Sequence, residues 1–444
     1  MISSFFESQN KPLALLGWAS VVLYFCLFLC LTVFSDSSVR REITMIILWG
    51  AYLCYVLGWR LIEQDLNKSV GLILSFAAIF YSIMFFVVPP TESDFYHYYF
   101  EDHVWSLDGV NPYAVSPSEL PHEVSGQHTH WPNLAAQHGP VRSLIMAPAA
   151  WLGGGIFWLS LFWYKTIFLS AVFLLVFCCY RILPFINRSD FSRVSFLLTW
   201  NPLILYESMT ASGTDALMIS LLLASLLFLF DKRIFLSAIF LSASVMTKYI
   251  TIFCLPLIIW YIYKNLSWIK SLKFLGIFLV SNIIYFIPFW FGLGTLDSLF
   301  YVVNYFESNS LIGLLYIYIT FLGPNITHQT WQSIVNFIFI FSYLVFLGFV
   351  FFRKSFTGKT LIALCVLAIG LFLAIAKVWF YVKYLIWLIP LLIILDKKFD
   401  FWVVFLTGMA VFGLVFTGVF TLLLFPPVIT LGGYWVAKRH FKLS

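Results

Sequence analysis

The chain has 444 residues, of which 61% are hydrophobic and 10% charged, with a formal net charge of +6. Apolar runs of bilayer-spanning length recur along it, which excludes a water-soluble globule and leaves a polytopic membrane protein. The basic residues are scattered between those runs without a contiguous patch, so nucleic acid is excluded as a partner.

Backbone inside lipid must satisfy its hydrogen bonds internally, so the apolar runs read as helices. In chain order, spans are predicted near 12–34, 43–63 and 70–90. After an acidic loop they resume near 156–180, 193–208, 214–231, 234–248, 250–263, 272–292, 331–352, 359–376, 378–395 and 402–437, the last long enough for two. The expected fold is an all-α transmembrane helix bundle of about 12–14 spans. It divides into N-terminal spans (1–90), an outer loop (91–155), core spans (156–292), a second outer loop (293–330) and C-terminal spans (331–444). The first run has only Lys11 before it and no small-residue cleavage site, so it reads as a retained helix and not a signal peptide. All seven cysteines fall in apolar runs, which implies neither a disulfide framework nor a zinc site.

Orientation follows from the basic loops. Arg60/Lys68, Arg181/Arg188/Arg193, Lys232/Arg233, Lys264/Lys270/Lys273, Arg353/Lys354/Lys359 and Lys397/Lys398 all face the cytoplasm in one scheme, with Arg40-Arg41 as its single violation. That scheme keeps the run 143–154 from crossing the membrane: its length is only about 18 Å as a helix. It is expected to lie along the outer surface, broken by Pro148 and ended by Gly153-Gly154-Gly155.

The stretch from Thr91 to Arg142 is unlike the rest. Its 52 residues hold seven of the twenty carboxylates, six of the eight histidines and one basic residue, Arg142, leaving 25 basic against 13 acidic residues elsewhere. Carboxylates and imidazoles act as general bases when their surroundings tune them. Aromatic residues run between them (Phe95, Tyr96, Tyr98, Tyr99, Phe100, Trp105, Tyr113, Trp131), with ring faces suited to sugars and edges suited to the headgroup layer. If 93–104 is helical, Asp94, His97, Tyr98 and Glu101 share one face at i, i+3, i+4 and i+7, able to hold an acceptor hydroxyl against Asp94. The other reading is an amphipathic juxtamembrane helix with its polar side simply wetted. Glu207, Asp215, Lys248, Asp297, Glu307 and the stretch from Lys377 to Lys383 fall on the same membrane side in this scheme, although solvated helix ends are the better account of Asp297 and Glu307. His122, His128 and His130 read as loop groups. A metal site from His97, His103 and His128 or His130 lacks a recognisable ligand spacing, so no metal and no cofactor is expected.

The order of motifs is more specific than any one of them. Ser93-Asp94-Phe95-Tyr96-His97-Tyr98, then Asp108-Gly109-Val110-Asn111-Pro112-Tyr113, then His138-Gly139-Pro140, resembles the first outer loop of the GT-C superfamily of integral-membrane glycosyltransferases. The bacterial polyprenyl-phosphate-mannose-dependent and related hexosyltransferases are the most similar group. Trp200-Asn201-Pro202-Leu203 with Glu207 and Ser212-Gly213-Thr214-Asp215, Met246-Thr247-Lys248-Tyr249 with Pro256, and Trp379-Phe380-Tyr381 to Trp387-Leu388-Ile389-Pro390 resemble later landmarks of the same family, in the same order. The likeness departs at His138, where the family usually has Tyr, and at Thr214, where it often has His. Three spans also precede the loop where many relatives have one, but an odd count keeps the loop outside.

The resemblance implies transfer of mannose or another hexose from a polyprenyl-phosphate donor to a glycan or glycolipid hydroxyl, with inversion, at the outer face of a bacterial inner membrane. Asp94 would be the catalytic base. The implied substrate-binding set is His97, Tyr98, Glu101, Asn111, Tyr113, His138, Arg142, Glu207, Asp215, Lys248, Tyr381 and Lys383, with Lys248, Arg142 and Lys383, in that order, as cations for the departing phosphate. Lys248 also reads as a snorkelling lysine, Arg142 as an interfacial anchor, Asp215 as a helix-start carboxylate and Asn111-Pro112-Tyr113 as a turn. Two rival classes remain. A transporter or flippase should place charges at mid-span and show an internal repeat, and a polymerase or ligase acting on diphosphate-linked glycans should carry a late outer loop rich in Arg and His. The orientation is tested by Ser118→Cys and Lys232→Cys. An impermeant thiol reagent should label the first from outside and the second from inside, and the reverse pattern inverts the scheme.

Overall fold

The computed structural model describes residues 11–33, 37–64, 70–90, 93–120, 129, 131–211, 213–296, 311–323, 326–353, 355–376 and 381–413. Glu92, His122, Glu123, His128, His130, Ser212, Asp297, Glu307, Lys354, Lys377, Trp379, Phe380 and the stretch 414–437 lie outside them.

The chain is an all-α polytopic bundle. Helices α1 (Lys11–Val33), α2 (Ser37–Gln64) and α3 (Val70–Phe85) pack together, followed by α4 (Asp94–Ser106) and α5 (Pro140–Gly153). A central set comprises α6 (Phe157–Ile182), α7 (Phe191–Thr199), α8 (Pro202–Tyr206), α9 (Thr214–Phe230) and α10 (Ile234–Val245). The remainder is α11 (Leu255–Asn265), α12 (Trp268–Phe286), α13 (Leu311–Phe321), α14 (His328–Phe351), α15 (Gly358–Leu371), α16 (Ile389–Leu395) and α17 (Asp400–Gly413). The core sits around α9, whose residues are buried almost without exception from Thr214 to Phe230, as expected of a helix apolar on every side.

Among the described residues, six helices are long and apolar enough to cross a membrane singly, or seven if a bent pair is one span. Five shorter apolar helices accompany them. The expected many-span bundle is present, with several of its spans short or broken, and the reason is local. The predicted span 193–208 is two short helices, because Asn201-Pro202 stops α7 and starts α8. Asn201 Oδ1 accepts from the amides of Leu203 and Ile204 at 3.1 and 3.2 Å, and its amide nitrogen donates to Thr407 Oγ1 at 2.7 Å on α17. Trp200 Nε1 donates to the Ile73 carbonyl of α3 at 3.0 Å. The Trp-Asn-Pro motif therefore ties three parts of the bundle to one another.

A second break follows at once. A π-helical turn, Glu207–Ala211, leads to Gly213, where the chain bends by 114° into α9. Gly213 has φ of +60°, and a Cβ there would meet the Phe168 ring at 2.2 Å. Backbone groups freed by such a break need partners in an apolar interior. Buried Lys165 of α6 supplies one by donating to the Met209 carbonyl.

The short run after the acidic loop begins at Pro140, and α5 runs through Pro148 without a break, correcting the expected interruption. It ends where Gly154 turns left-handed at φ +56°. Its 14 residues reach about 21 Å, too short to span. At the far end of α6, about 39 Å away, the basic loops assemble. Arg188 pairs with Asp190 and donates to the Ile393 carbonyl at 2.7 Å, Arg193 pairs with Asp400, and Lys359 with Asp396 at 2.9 Å. Gly213→Ala combines backbone strain with a clash, so it should cost about 1–3 kcal/mol and lower the melting temperature of the purified protein in detergent. An unchanged melting temperature would mean that the bend is not under this constraint.

Candidate functional site

Helix α4 follows Pro89-Pro90 and starts at Asp94, where a carboxylate interacts favourably with the first-turn amides. It is not amphipathic in the expected sense. Every residue from Phe95 to Val104 is buried, which overturns the wetted-helix reading of this stretch. One side packs by aromatic contacts, Phe95 and Tyr99 against Tyr164 and Phe157 of α6. Of the ionisable groups, Asp94, His97, Tyr98 and Glu101 share the opposite side, while Asp102 lies on the aromatic side, where Tyr164 reaches it.

Those groups divide into two sets. In the first, Arg142 of α5 is buried among acids: its Nη1 and Nη2 donate to Asp102 at 3.1 and 3.0 Å, and Nη2 also reaches Glu101 and, at 2.7 Å, Ser143 Oγ. Tyr164 of α6 donates to Asp102 Oδ2 at 2.7 Å, and the Tyr98 ring centroid lies 4.8 Å from the guanidinium carbon. Burial opposes every charge here, yet the two carboxylates keep Arg142 charged, and Arg142 with His97 holds the Glu101 carboxyl below its usual range. His97 Nε2 stands 3.0 Å from Glu101 Oε1. Asp102 was not singled out from the sequence.

The second set surrounds a cavity of about 180 Å³. Of the sequence-derived site residues, Asp94, His97, Tyr98, His138, Lys248, Tyr381 and Lys383 line it, joined by Tyr384 and Trp387. Glu101, Asn111, Tyr113, Arg142, Glu207 and Asp215 do not. Asp94 Oδ2 accepts from Lys383 Nζ. Although burial would raise it, the Asp94 carboxyl is held well below the ordinary range by Lys383, with Lys248 and His138 adding to the effect. Its side chain remains 28% exposed where Asp102 is 0% exposed, so of these two carboxylates only Asp94 can be met by a substrate.

Lys248 Nζ donates to Asp215 Oδ1 at 2.6 Å, and Trp387 Nε1 donates to the same oxygen at 2.6 Å. Asp215 thus sits behind the wall and orients two groups that line it. Glu207 is buried at the start of the π-helical turn. The Tyr98 hydroxyl lies 2.9 Å from His138 Nε2, and burial together with Lys248 and Arg142 keeps that imidazole well below its ordinary pKa and therefore neutral.

Asn111 and Tyr113 act at one remove. Asn111 Nδ2 donates to the Phe289 carbonyl at 2.8 Å, while the Tyr113 hydroxyl donates to the His138 carbonyl at 2.6 Å. Gly139 lies against the Met246 carbonyl, where a Cβ would come within 2.2 Å, and the Val141 amide donates to that oxygen at 3.0 Å. The His-Gly-Pro step and the turn carrying Lys248 are therefore in direct backbone contact.

Tyr384 and Trp387 went unnoticed as site residues, though a signal existed. Tyr381, Tyr384 and Trp387 recur every third residue, and the 3₁₀ segment Val382–Trp387 aligns such positions. Ring centroids along this ladder are 5.9 and 4.4 Å apart, and Lys248 Nζ lies 5.6 and 5.7 Å from the two inner rings. Among the described residues no group of three His, Cys, Asp or Glu could hold a metal ion.

Arg142→Met should leave Glu101 and Asp102 buried without their cation, at a cost of about 3–5 kcal/mol, read as a lower melting temperature. Arg142→Lys should recover only part of it, because an ammonium cannot grip Asp102 with two parallel bonds. Full recovery by lysine would refute the bidentate role.

The arrangement, a reachable carboxylate facing two lysines in a cavity walled by aromatic rings, suits transfer of a sugar from an anionic leaving group. No curated protein matches the chain. The family described as alpha-(1->6)-mannopyranosyltransferase, N-terminal domain, matches residues 16–264, from α1 to the end of α11. Over that match the polar set of α4 and α5, the broken helix and Lys248 are all included, and the chain belongs to this mannosyltransferase family, a membrane glycosyltransferase of GT-C type.

Proposed function

We propose that the chain transfers mannose from a polyprenyl-phosphate donor to a glycan or glycolipid hydroxyl on the non-cytoplasmic side of a bacterial inner membrane. The observation that carries this reading is the meeting, in one cavity, of the Asp94 carboxylate with Lys248 and Lys383. Asp94 takes the proton of the acceptor hydroxyl as its oxygen attacks the anomeric carbon. The bond from that carbon to the phosphate oxygen breaks, and its electron pair leaves with the phosphate. Lys248 and Lys383 neutralise the charge that develops there, in a site screened from bulk water.

The family description names an α-(1→6) linkage. A single in-line displacement inverts the anomeric carbon, so an α-linked product requires a β-linked donor phosphate. An α-(1→6) bond would make the acceptor a primary C6 hydroxyl, weakly acidic and in need of a base. Tyr384 and Trp387, with Lys248 held beside them by Asp215, would form the wall along which the donor head lies.

Asp94→Asn should lower transfer by at least about 10²-fold while expression and donor binding persist, measured with radiolabelled polyprenyl-phosphate mannose and a short α-mannoside acceptor. Normal turnover in this variant removes Asp94 as base. Lys248→Ala should raise the KM for donor about tenfold or more, as loss of a charge-assisted contact does, with the KM for acceptor nearly unchanged. An unaltered donor KM would take Lys248 out of the phosphate site.

A further inference from the structure

The proposed reaction places two demands on one ion pair. Asp94 must offer an electron pair to the acceptor proton, yet its Oδ2 already accepts from Lys383 Nζ. The same Lys383 is one of the two cations available to the donor phosphate. We propose that Lys383 is a shared cation: it pairs with Asp94 while the cavity is empty and moves to the phosphate when the donor is seated, so that Asp94 becomes an effective base only then. The inference rests on the transferase reading above.

The two lysines are built differently, and the difference selects Lys383 as the one that moves. Lys248 is anchored by Asp215, which is itself fixed by the Trp387 indole, and it lies beside the Tyr384 and Trp387 rings. Lys383 stands at the start of the 3₁₀ segment, and among the described residues its direct acidic partner is Asp94, a partly exposed carboxylate at the cavity wall. A donor phosphodiester brings a competing oxyanion into the same space. The seated phosphodiester is a monoanion like the carboxylate, so the flexible ammonium can pass from one to the other, and the second charge that grows on the phosphate as the sugar–phosphate bond breaks completes the transfer. A swing of the long lysine side chain is the whole movement required.

The groups that face Asp94 set the sign. From its own helix come His97, Tyr98 and Glu101; from the step before α5, His138; from the turn before the 3₁₀ segment Tyr249–Cys254, Lys248; from either side of the helix break, Glu207 and Asp215; and from the segment carrying Lys383, Tyr384. Of the cations among them, only Lys383 is in contact with Asp94. With Lys383 on it, Asp94 resists protonation. With Lys383 on an adjacent phosphate, the carboxyl loses its cation, gains an anionic neighbour and binds a proton more tightly.

The acid limb of kcat/KM for donor reports the free enzyme, and that of kcat the loaded one. Both are measured in wild-type protein in lipid nanodiscs with a short-chain polyprenyl-phosphate mannose, whose phosphodiester does not titrate in this range. The kcat limb should lie at higher pH by at least about one unit, a tenfold difference in proton affinity. Lys383→Gln should raise the donor KM and bring the limbs together, and Lys383→Arg should restore part of their separation. Coincident limbs in the wild type, or limbs still separated in Lys383→Gln, overturn the shared cation while leaving the base assignment standing. Absence of transfer from the polyprenyl-phosphate mannose by the wild type overturns the donor reading itself, and full transfer retained in Asp94→Asn overturns the base assignment.

Discussion

Everything near the cavity depends on a guanidinium held between two carboxylates. Arg142 joins α5 to α4 through Glu101 and Asp102, and Tyr164 extends the same network to α6. A charged cluster of this kind is costly to bury and becomes tolerable only when each member is hydrogen-bonded. That requirement gives it a sharp geometry. Because α4 is short and buried on all sides, fixing Glu101 and Asp102 also fixes Asp94, two turns away, at the cavity wall. The acid that can react and the acids that cannot are therefore on one rigid element, separated by their partners and by access.

A similar economy governs the breaks in the apolar helices. The Asn201-Pro202 stop and the bend at Gly213 interrupt what would otherwise be continuous spans, and each exposes backbone groups that lipid cannot satisfy. Asn201 answers the first with its own side chain, and Lys165 answers the second from a neighbouring helix. In return the chain gains a helix start beside the cavity, with Asp215 in its first turn to orient Lys248 and Trp387. The distortion and the positioning are two results of the same bend.

Much of this was legible in the sequence. The spacing of Asp94, His97, Tyr98 and Glu101 gave one face of a helix, and the density of acids and imidazoles marked a stretch whose helix, α4, borders the cavity. The full burial of α4 was not legible, because it depends on aromatic rings of α6 more than fifty residues later. Nor was the partner of Arg142. As the lone base of an acidic loop it suited an anionic substrate equally well, and in the structure it is paired with Asp102 and Glu101. Tyr384 and Trp387 escaped because the 3₁₀ winding that aligns a period of three there is set by packing. The breaks within the spans were missed for a related reason: hydropathy measures apolar length and is blind to where Asn-Pro or Gly turns that length aside.

The contact between Gly139 and the Met246 carbonyl, with Tyr113 clasping the His138 backbone, pins the acidic loop at two points close to the reactive groups. Beside those pins, Trp131, Leu134 and Gln137 form a lip of the cavity, held by the Ser118 and Ala136 amides donating to the Pro132 and Pro112 carbonyls. That lip can exchange its side chains without dragging the chemistry out of register. It is where one ancestral catalyst could acquire a taste for different glycan partners while its reaction stayed the same.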